Sequence, residues 1–123
     1  MAGMPDRSRG VDHLLPLKPK MLHVLLALAD GPRHGYSVMQ EVASRTDGQV
    51  RLWPAAMYGA LRELEELGWI AESDHRPSGD DERRRYFALT ALGKRVLDAE
   101  VRRLEAIVDL ARASRALRKA GRA

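Results

Sequence analysis

Apolar positions recur at helical spacing in four stretches of the chain and give strand character to three others. The central stretch is residues 52–70. There Met57, Leu61, Leu64 and Leu67 step by four, three and three, which places them on one face of a helix. Tyr58, Arg62, Glu65 and Glu66 fall largely on other faces. Pro54 suits the first helical position, where a missing N–H is no loss, and Gly68 suits the exit. Upstream, residues 17–29 carry Leu22, Leu25, Leu26, Leu28 and Ala29, apolar enough to be buried on more than one side. One covering wall is the domain itself, and the other is open to a partner chain. Asp30-Gly31-Pro32 ends this helix. Residues 34–46 form the next, with Val38, Met39 and Val42 inward. After the Asp47-Gly48 turn, residues 49–52 point Val50 and Leu52 one way and Arg51 the other, the pattern of a very short strand.

Residues 69–74 and 84–89 have strand character and flank a polar loop, HRPSGDDER, so they predict a β-hairpin with a long tip. Thr90 is placed to cap a last helix. Along it Leu97, Val101, Leu104, Val108 and Ala111 step by four, three, four and three, a short heptad seam that Ile107 and Leu110 widen. A seam of this length is too short to hold two chains alone, so Leu22 and Leu25 of the apolar first helix are expected to share the dimer interface. The order helix, helix, short strand, helix, hairpin, helix is that of a winged helix-turn-helix with an added terminal helix. The expected fold class is α+β, mainly helical. The expected divisions are a flexible N-terminal arm (1–15), a winged helix-turn-helix DNA-binding domain (16–90), a C-terminal dimerisation helix (91–117) and a basic tail (118–123).

A chain of 123 residues holds one domain with one real core plus a helical appendage. It has no cysteine, which excludes disulfide staples and thiolate metal sites. No apolar run approaches the roughly 20 residues of a membrane span. No apolar core resembling a signal peptide opens the chain, so a soluble cytoplasmic protein is expected. The net charge of +4 is unevenly spread. Residues 91–123 hold nine Lys or Arg and four Asp or Glu, leaving the other ninety residues at −1. An anionic partner must therefore be met through local patches rather than a uniformly basic surface. In the arm, Arg7 and Arg9 are available to an acidic surface; the alternative is an arm with no role.

Three motifs bear a resemblance to a known family. Residues 28–37, LADGPRHGYS, resemble its glycine-proline turn into the second helix. Pro54-Ala55-Ala56-Met57-Tyr58 with Leu61, Leu64 and Gly68-Trp69-Ile70 resembles its recognition helix and exit. Residues 83–93, RRRYFALTALG, resemble its second wing strand and the start of its dimer helix. Together, in this order, they make the chain similar to the PadR family of bacterial transcriptional regulators, in the short form with a single C-terminal helix. Two departures stand out. Trp53 occupies a position where the family commonly has a small capping residue, and Ala55 one where glycine is frequent. The resemblance implies a homodimer that represses transcription from double-stranded DNA and is released by a small-molecule effector. Two-fold symmetry then implies an inverted-repeat operator with half-sites about one helical turn, roughly 10 bp, or a multiple apart. Some short-form relatives line an effector pocket with an aromatic residue of the last helix. Residues 91–123 contain no Trp, Tyr or Phe, so that mode is not supported.

For DNA reading, Trp53, Ala55, Ala56 and Gly59 lie at the base-facing start of the central helix. Trp and Ala can meet a thymine methyl but carry little hydrogen-bond code, so DNA shape is expected to share the reading. Tyr36, Tyr58 and Arg62 are placed to donate to phosphates, which fix register without reading sequence. The alternative is partial burial for the tyrosines and an ion pair with Glu66 for Arg62. Of Arg83, Arg84 and Arg85, alternate side chains face opposite ways, so Arg84 or Arg85 is expected to reach DNA; the alternative is charge balance with Asp80, Asp81 and Glu82. His34 and Ser37 lie close, yet no orienting group or oxyanion donors accompany them, and no enzyme is expected. His13, His23, His34 and His75 show no i,i+4 pairing, so no metal site and no cofactor are expected. The rival reading is a winged-helix module for protein–protein contact, which the acidic trio Glu63, Glu65 and Glu66 would suit.

Overall fold

The structure, a computed structural model, describes residues 10–122. A 3-10 turn at Asp12–Leu14 precedes α1 (Pro19–Ala27). Then follow β1 (Arg33–His34), α2 (Gly35–Arg45), α3 (Pro54–Glu66), β2 (Ile70–Ser73), β3 (Tyr86–Leu89), α4 (Ala91–Ala113) and α5 (Arg115–Arg122). The three strands form one antiparallel sheet in the order β1-β3-β2. Ile70 faces Leu89, and Arg33 faces Phe87. This is a winged helix-turn-helix, mainly helical, with the hairpin β2–β3 as the wing.

One core holds the elements together. Met21, Val24, Leu25 and Leu28 from the α1 region meet Val38 and Val42 of α2, Met57, Leu61 and Leu64 of α3, and Val96 of α4. The chain end of α1 is closed by two cations from downstream. Arg33 Nε donates to the Ala27 carbonyl at 2.7 Å and Arg45 donates to the Leu26 carbonyl at 3.1 Å, where the helix dipole favours positive charge. Arg45 also pairs with Asp30 at 2.6 Å and Glu41 at 2.5 Å.

Helix α3 ends in a Schellman motif. Trp69 N–H donates to the Leu64 carbonyl and Gly68 N–H to that of Glu65, both at 3.0 Å, with Gly68 at φ +79°. The α4 start is fastened to this exit. Thr90 N–H donates to the Trp69 carbonyl at 3.0 Å, and its hydroxyl donates to the Gly68 carbonyl at 2.6 Å while accepting the Gly93 N–H at 3.0 Å. The approach is close enough that a Cβ on Gly93 would sit 1.9 Å from the Trp69 carbonyl oxygen.

Several expectations are corrected. The arm was expected to run through residue 15, but Val11 is only 2% exposed and packs into the core. The stretch that follows is tied to α4 by the buried Glu100, whose carboxylate accepts the Leu17 N–H at 2.9 Å and pairs with Arg103 at 2.5 Å. Arg103, ahead of the burial that opposes it, holds the Glu100 carboxyl below its ordinary range. Arg7 and Arg9 lie outside the described residues. Residues 49–52 form no strand, because the Thr46 hydroxyl takes the Val50 N–H at 3.0 Å and folds the segment against α2. The third strand is instead Arg33–His34, ahead of α2. The terminal helix was expected through residue 117. It stops at Ala113, where Ser114 turns extended and its carbonyl accepts the Arg118 N–H at the start of α5. Serine favours that cap geometry. The expected tail, residues 118–123, is thus helical over its described part. Leu25, expected at a dimer interface, is 0% exposed inside its own chain, and Leu97 is nearly as buried. Both are core residues because α1 and α4 pack within one protomer. Leu67, on the α3 stripe, is exposed past the helix end.

Candidate nucleic-acid interface

The start of α3 has no side-chain cap: Trp53 stands at the N-cap position and makes no capping hydrogen bond, and Pro54 follows. With nothing to hold it inward, the indole projects, 71% exposed. The α2 start approaches from one side. His34 caps α2 through Nδ1, which accepts the Ser37 N–H at 3.2 Å. Gly35 lets α2 and α3 close together, since a Cβ there would lie 3.1 Å from Met57 Cε and 3.2 Å from the Tyr58 ring.

This packing gathers most of the expected residues on one surface. Tyr36 and Tyr58 are 57% and 55% exposed, and Ala55 and Arg62 are exposed beside them, with Ala56 half-buried. Tyr36 and Trp53 line one groove of about 180 Å³ with Met39, Gln40, Ala43, Arg51 and Leu52. Arg51 and Gln40 were missed as site residues. Arg51 was assigned to the outer edge of a strand, and only the folding of residues 49–52 against α2 brings it beside Trp53. A second groove, about 300 Å³, runs between Ala56, Gly59, Ala60 and Glu63 of α3 and Lys18, Lys20 and Met21. Among the described residues, neither Arg51 nor Arg62 has an ion-pair partner; the expected alternative of an Arg62–Glu66 pair is not formed.

The wing is different. Arg85 pairs with Glu65 of α3 and Glu72 of β2, each at 3.1 Å, and its guanidinium lies 4.9 Å from the Phe87 ring centre. Arg84 pairs with Asp80 and Arg83 with Asp81, both at 3.2 Å. Arg76 donates to the carbonyls of Asp81 and Glu82 and stacks on Tyr86. The Tyr86 hydroxyl donates to Asp80, the leading reason that carboxyl titrates below its ordinary range. Charge balance with the acidic neighbours, the alternative reading, is therefore the arrangement of Arg83 and Arg84, whereas Arg85 is balanced by Glu72 and, outside the wing, by Glu65. Of the acidic trio on α3, Glu65 joins the wing by holding Arg85, and Glu63 lies 3.9 Å from Lys18.

His34 sits between the two regions. Its Nδ1 must carry a lone pair to cap α2, so the ring proton is on Nε2. Arg84, 3.3 Å from Nε2, then meets a donor with a donor, and the contact is repulsive rather than a hydrogen bond. Burial first and Arg84 second hold the imidazole pKa below its ordinary value. Among the described residues, no cluster of His, Asp and Glu is arranged to hold a metal ion, and no helix is long and apolar enough to cross a membrane.

The fold and this surface define a winged helix-turn-helix protein that presents the start of one helix outward. The profile of the PadR-like family of transcriptional regulators matches residues 24–99, so the chain belongs to that family. An uncharacterized 37.1 kDa protein in transposon TN4556 of Streptomyces fradiae is 40% identical over 77 residues, 63% of this chain and 20% of that protein. The chain thus spans about a fifth of that relative's length. A PadR family transcription regulator from hypervirulent Clostridium difficile superposes with a TM-score of 0.62 at 24% identity, covering 76% of this chain and 94% of that one. Bacillus subtilis PadR in complex with operator DNA superposes with a TM-score of 0.57 at 20% identity, covering 66% of this chain and 45% of that one.

Proposed function

We propose that this chain binds double-stranded operator DNA as a homodimer and represses transcription until a small-molecule effector releases it. The observation that carries this reading is the surface at the start of α3. Three aromatics are exposed there, Arg51 and Arg62 have no ion-pair partner among the described residues, and no acidic side chain lines the groove between Tyr36 and Trp53. In this reading Trp53, Ala55 and Ala56 enter the major groove, and Tyr36, Tyr58 and Arg62 hold phosphates. The likeness in fold to a PadR solved with operator DNA supports the same use of the helix.

The exposed face of α4 supports the pairing of two copies. Val101, Ile107, Val108 and Leu110 lie exposed along it, with Leu104 and Ala111 partly so, an apolar stripe that a second copy would cover. Leu22, half-buried on α1, can join it. A groove of about 300 Å³ lined by Ala29, Leu89, Lys94, Leu97, Asp98 and Val101 opens on that stripe. A compound seated there would release DNA only by binding one arrangement of the pair better than the other.

The test is selection of duplexes from a randomised library by the purified protein, followed by titration of the selected and scrambled duplexes at several salt concentrations. Selective retention that falls steeply with salt is expected. Equal, weak retention of both duplexes would sink the reading in favour of a protein–protein module. Sedimentation velocity on a Leu104→Asp, Val108→Asp variant tests the pairing: monomers are expected, and unchanged dimers would remove it.

A further inference from the structure

We propose that the groove between α2 and the start of α3 reads the 5-methyl group of a thymine, with Trp53 as its outer wall and Arg51 as a phosphate clamp beside it. This rests on the DNA-binding reading above and assigns a base to a particular place on the surface. Four observations carry it. Trp53 is the most exposed of the aromatics on this face and takes no part in capping α3. The groove behind it is lined mostly by apolar groups, those of Met39, Ala43 and Leu52 with the Tyr36 and Trp53 rings. Its polar lining is Gln40 and Arg51, both able to donate, and no carboxylate. Among the described residues Arg51 has no ion pair to break.

The chemistry of a thymine edge matches this set. In the major groove it alone presents a methyl group next to an acceptor, O4. The methyl gains from apolar walls, and O4 from a nearby amide donor such as that of Gln40. Cytosine presents a donor at the same place and lacks the methyl. The neighbouring phosphate complements the single cation of the groove. The other residues at the start of α3, Pro54, Ala55 and Ala56, offer no side-chain hydrogen bond, so base discrimination falls on the groove and its Trp wall.

The experiment takes the duplex selected from a randomised library and replaces its thymines by deoxyuridine one at a time, which deletes only the methyl. Wild-type protein should lose about fourfold in affinity at one position per half-site, the size expected for burying one methyl group. Trp53→Ala should bind the unmodified duplex more weakly and be indifferent to that replacement. Trp53→Phe should keep the discrimination. Arg51→Ala should weaken selected and scrambled duplexes alike, lower the salt dependence by about one counterion, and leave the fourfold ratio intact. If every deoxyuridine is neutral to the wild type, or if Trp53→Ala keeps the full loss, the assignment is overturned while sequence-selective binding stands. If selected and scrambled duplexes bind alike from the outset, the DNA-reading function itself falls, and this inference with it.

Discussion

Two regions flank the side of this molecule proposed to face DNA, and they treat their arginines in opposite ways. Around the start of α3, Arg51 and Arg62 have no ion-pair partner among the described residues and stand beside exposed aromatics. In the wing, Arg83, Arg84 and Arg85 are each committed to a carboxylate, and Arg76 to backbone carbonyls. An unpaired surface cation meets a phosphate at the cost of its own hydration. A paired one must also give up its carboxylate, which then faces the phosphate as a like charge. Counting basic residues near a nucleic-acid surface therefore overstates their reach. The wing of this chain reads as a brace that holds α3 through Glu65 and Arg85, and the α2–α3 face as the part available to DNA.

The sharpest way to break this contrast is to loosen the joint on which both regions hang. Gly93→Ala would drive a Cβ into the Trp69 carbonyl. It should lower stability by roughly 3 kcal/mol or more, at the severe end for overpacking, and abolish DNA binding with it. Thermal denaturation checks this, and a variant with unchanged midpoint would mean that α4 can slide away from β2. Next in size, Ala56→Asp adds an anion to the first turn of α3, where the helix dipole tolerates it, so the fold should persist. A like charge set against phosphate costs several kcal/mol, and operator affinity should fall by on the order of 100-fold. Normal melting with unchanged affinity would place this face away from DNA.

The arginine pair makes the contrast quantitative. Arg62→Ala should weaken operator and random duplexes together and reduce the salt slope by about 0.9. Arg85→Ala should leave the slope unchanged and cost at most about 1 kcal/mol of stability, because its ion pairs are exposed to solvent. Reversed results in the salt titrations would exchange the roles of brace and reader.

The smallest effect concerns the hinge between the two regions. Since His34 has its folded pKa held below 6.5, the folded state favours the neutral ring. Its contribution is complete above the unfolded value near 6.5. It is lost as pH falls below that value, because the unfolded chain then takes up the proton first. A protonated ring could neither accept from Ser37 nor tolerate Arg84. Stability should therefore drop modestly as pH falls below about 6.5 by this route, and His34→Asn, which can still cap α2, should flatten that part of the profile. Urea titrations across that range, wild type beside variant, provide the check. Parallel profiles would show that other groups set the slope.

Much of this arrangement was legible before folding, and the exceptions have physical reasons. The inner faces of α2 and α3, the Gly68 exit and the Thr90 cap are local patterns, decided within a turn or two of chain. The β1 strand escaped because Arg33–His34 spans only two residues and exists through pairing with β3, far along the chain. Val11 joins the core with Leu14, Leu15 and Leu17 around a single 3-10 turn, Asp12–Leu14, too short for its apolar spacing to stand out along the chain. The Arg85 bridge depends on Glu65 and Glu72 arriving from two elements, which no spacing along the chain reveals. Arg51 was visible as a residue but was assigned to the wrong element, so its place beside Trp53 was lost.

The fastening of α4 to the exit of α3 has a mechanical consequence. The contacts of Thr90 and Gly93 leave no slack between the end of one helix and the beginning of the other, so the two turn as one piece. Helix α4 has 23 residues, and at 1.5 Å per residue it is a lever about 35 Å long. In a paired molecule, tilting that lever by about 5° would sweep its far end by about 3 Å, close to the 3.4 Å rise of one base pair step along a strand. The gearing between two α4 helices would thus set the distance between two reading heads. In that proposed pair, a change made anywhere along the lever would put those heads in or out of phase with DNA without touching a base.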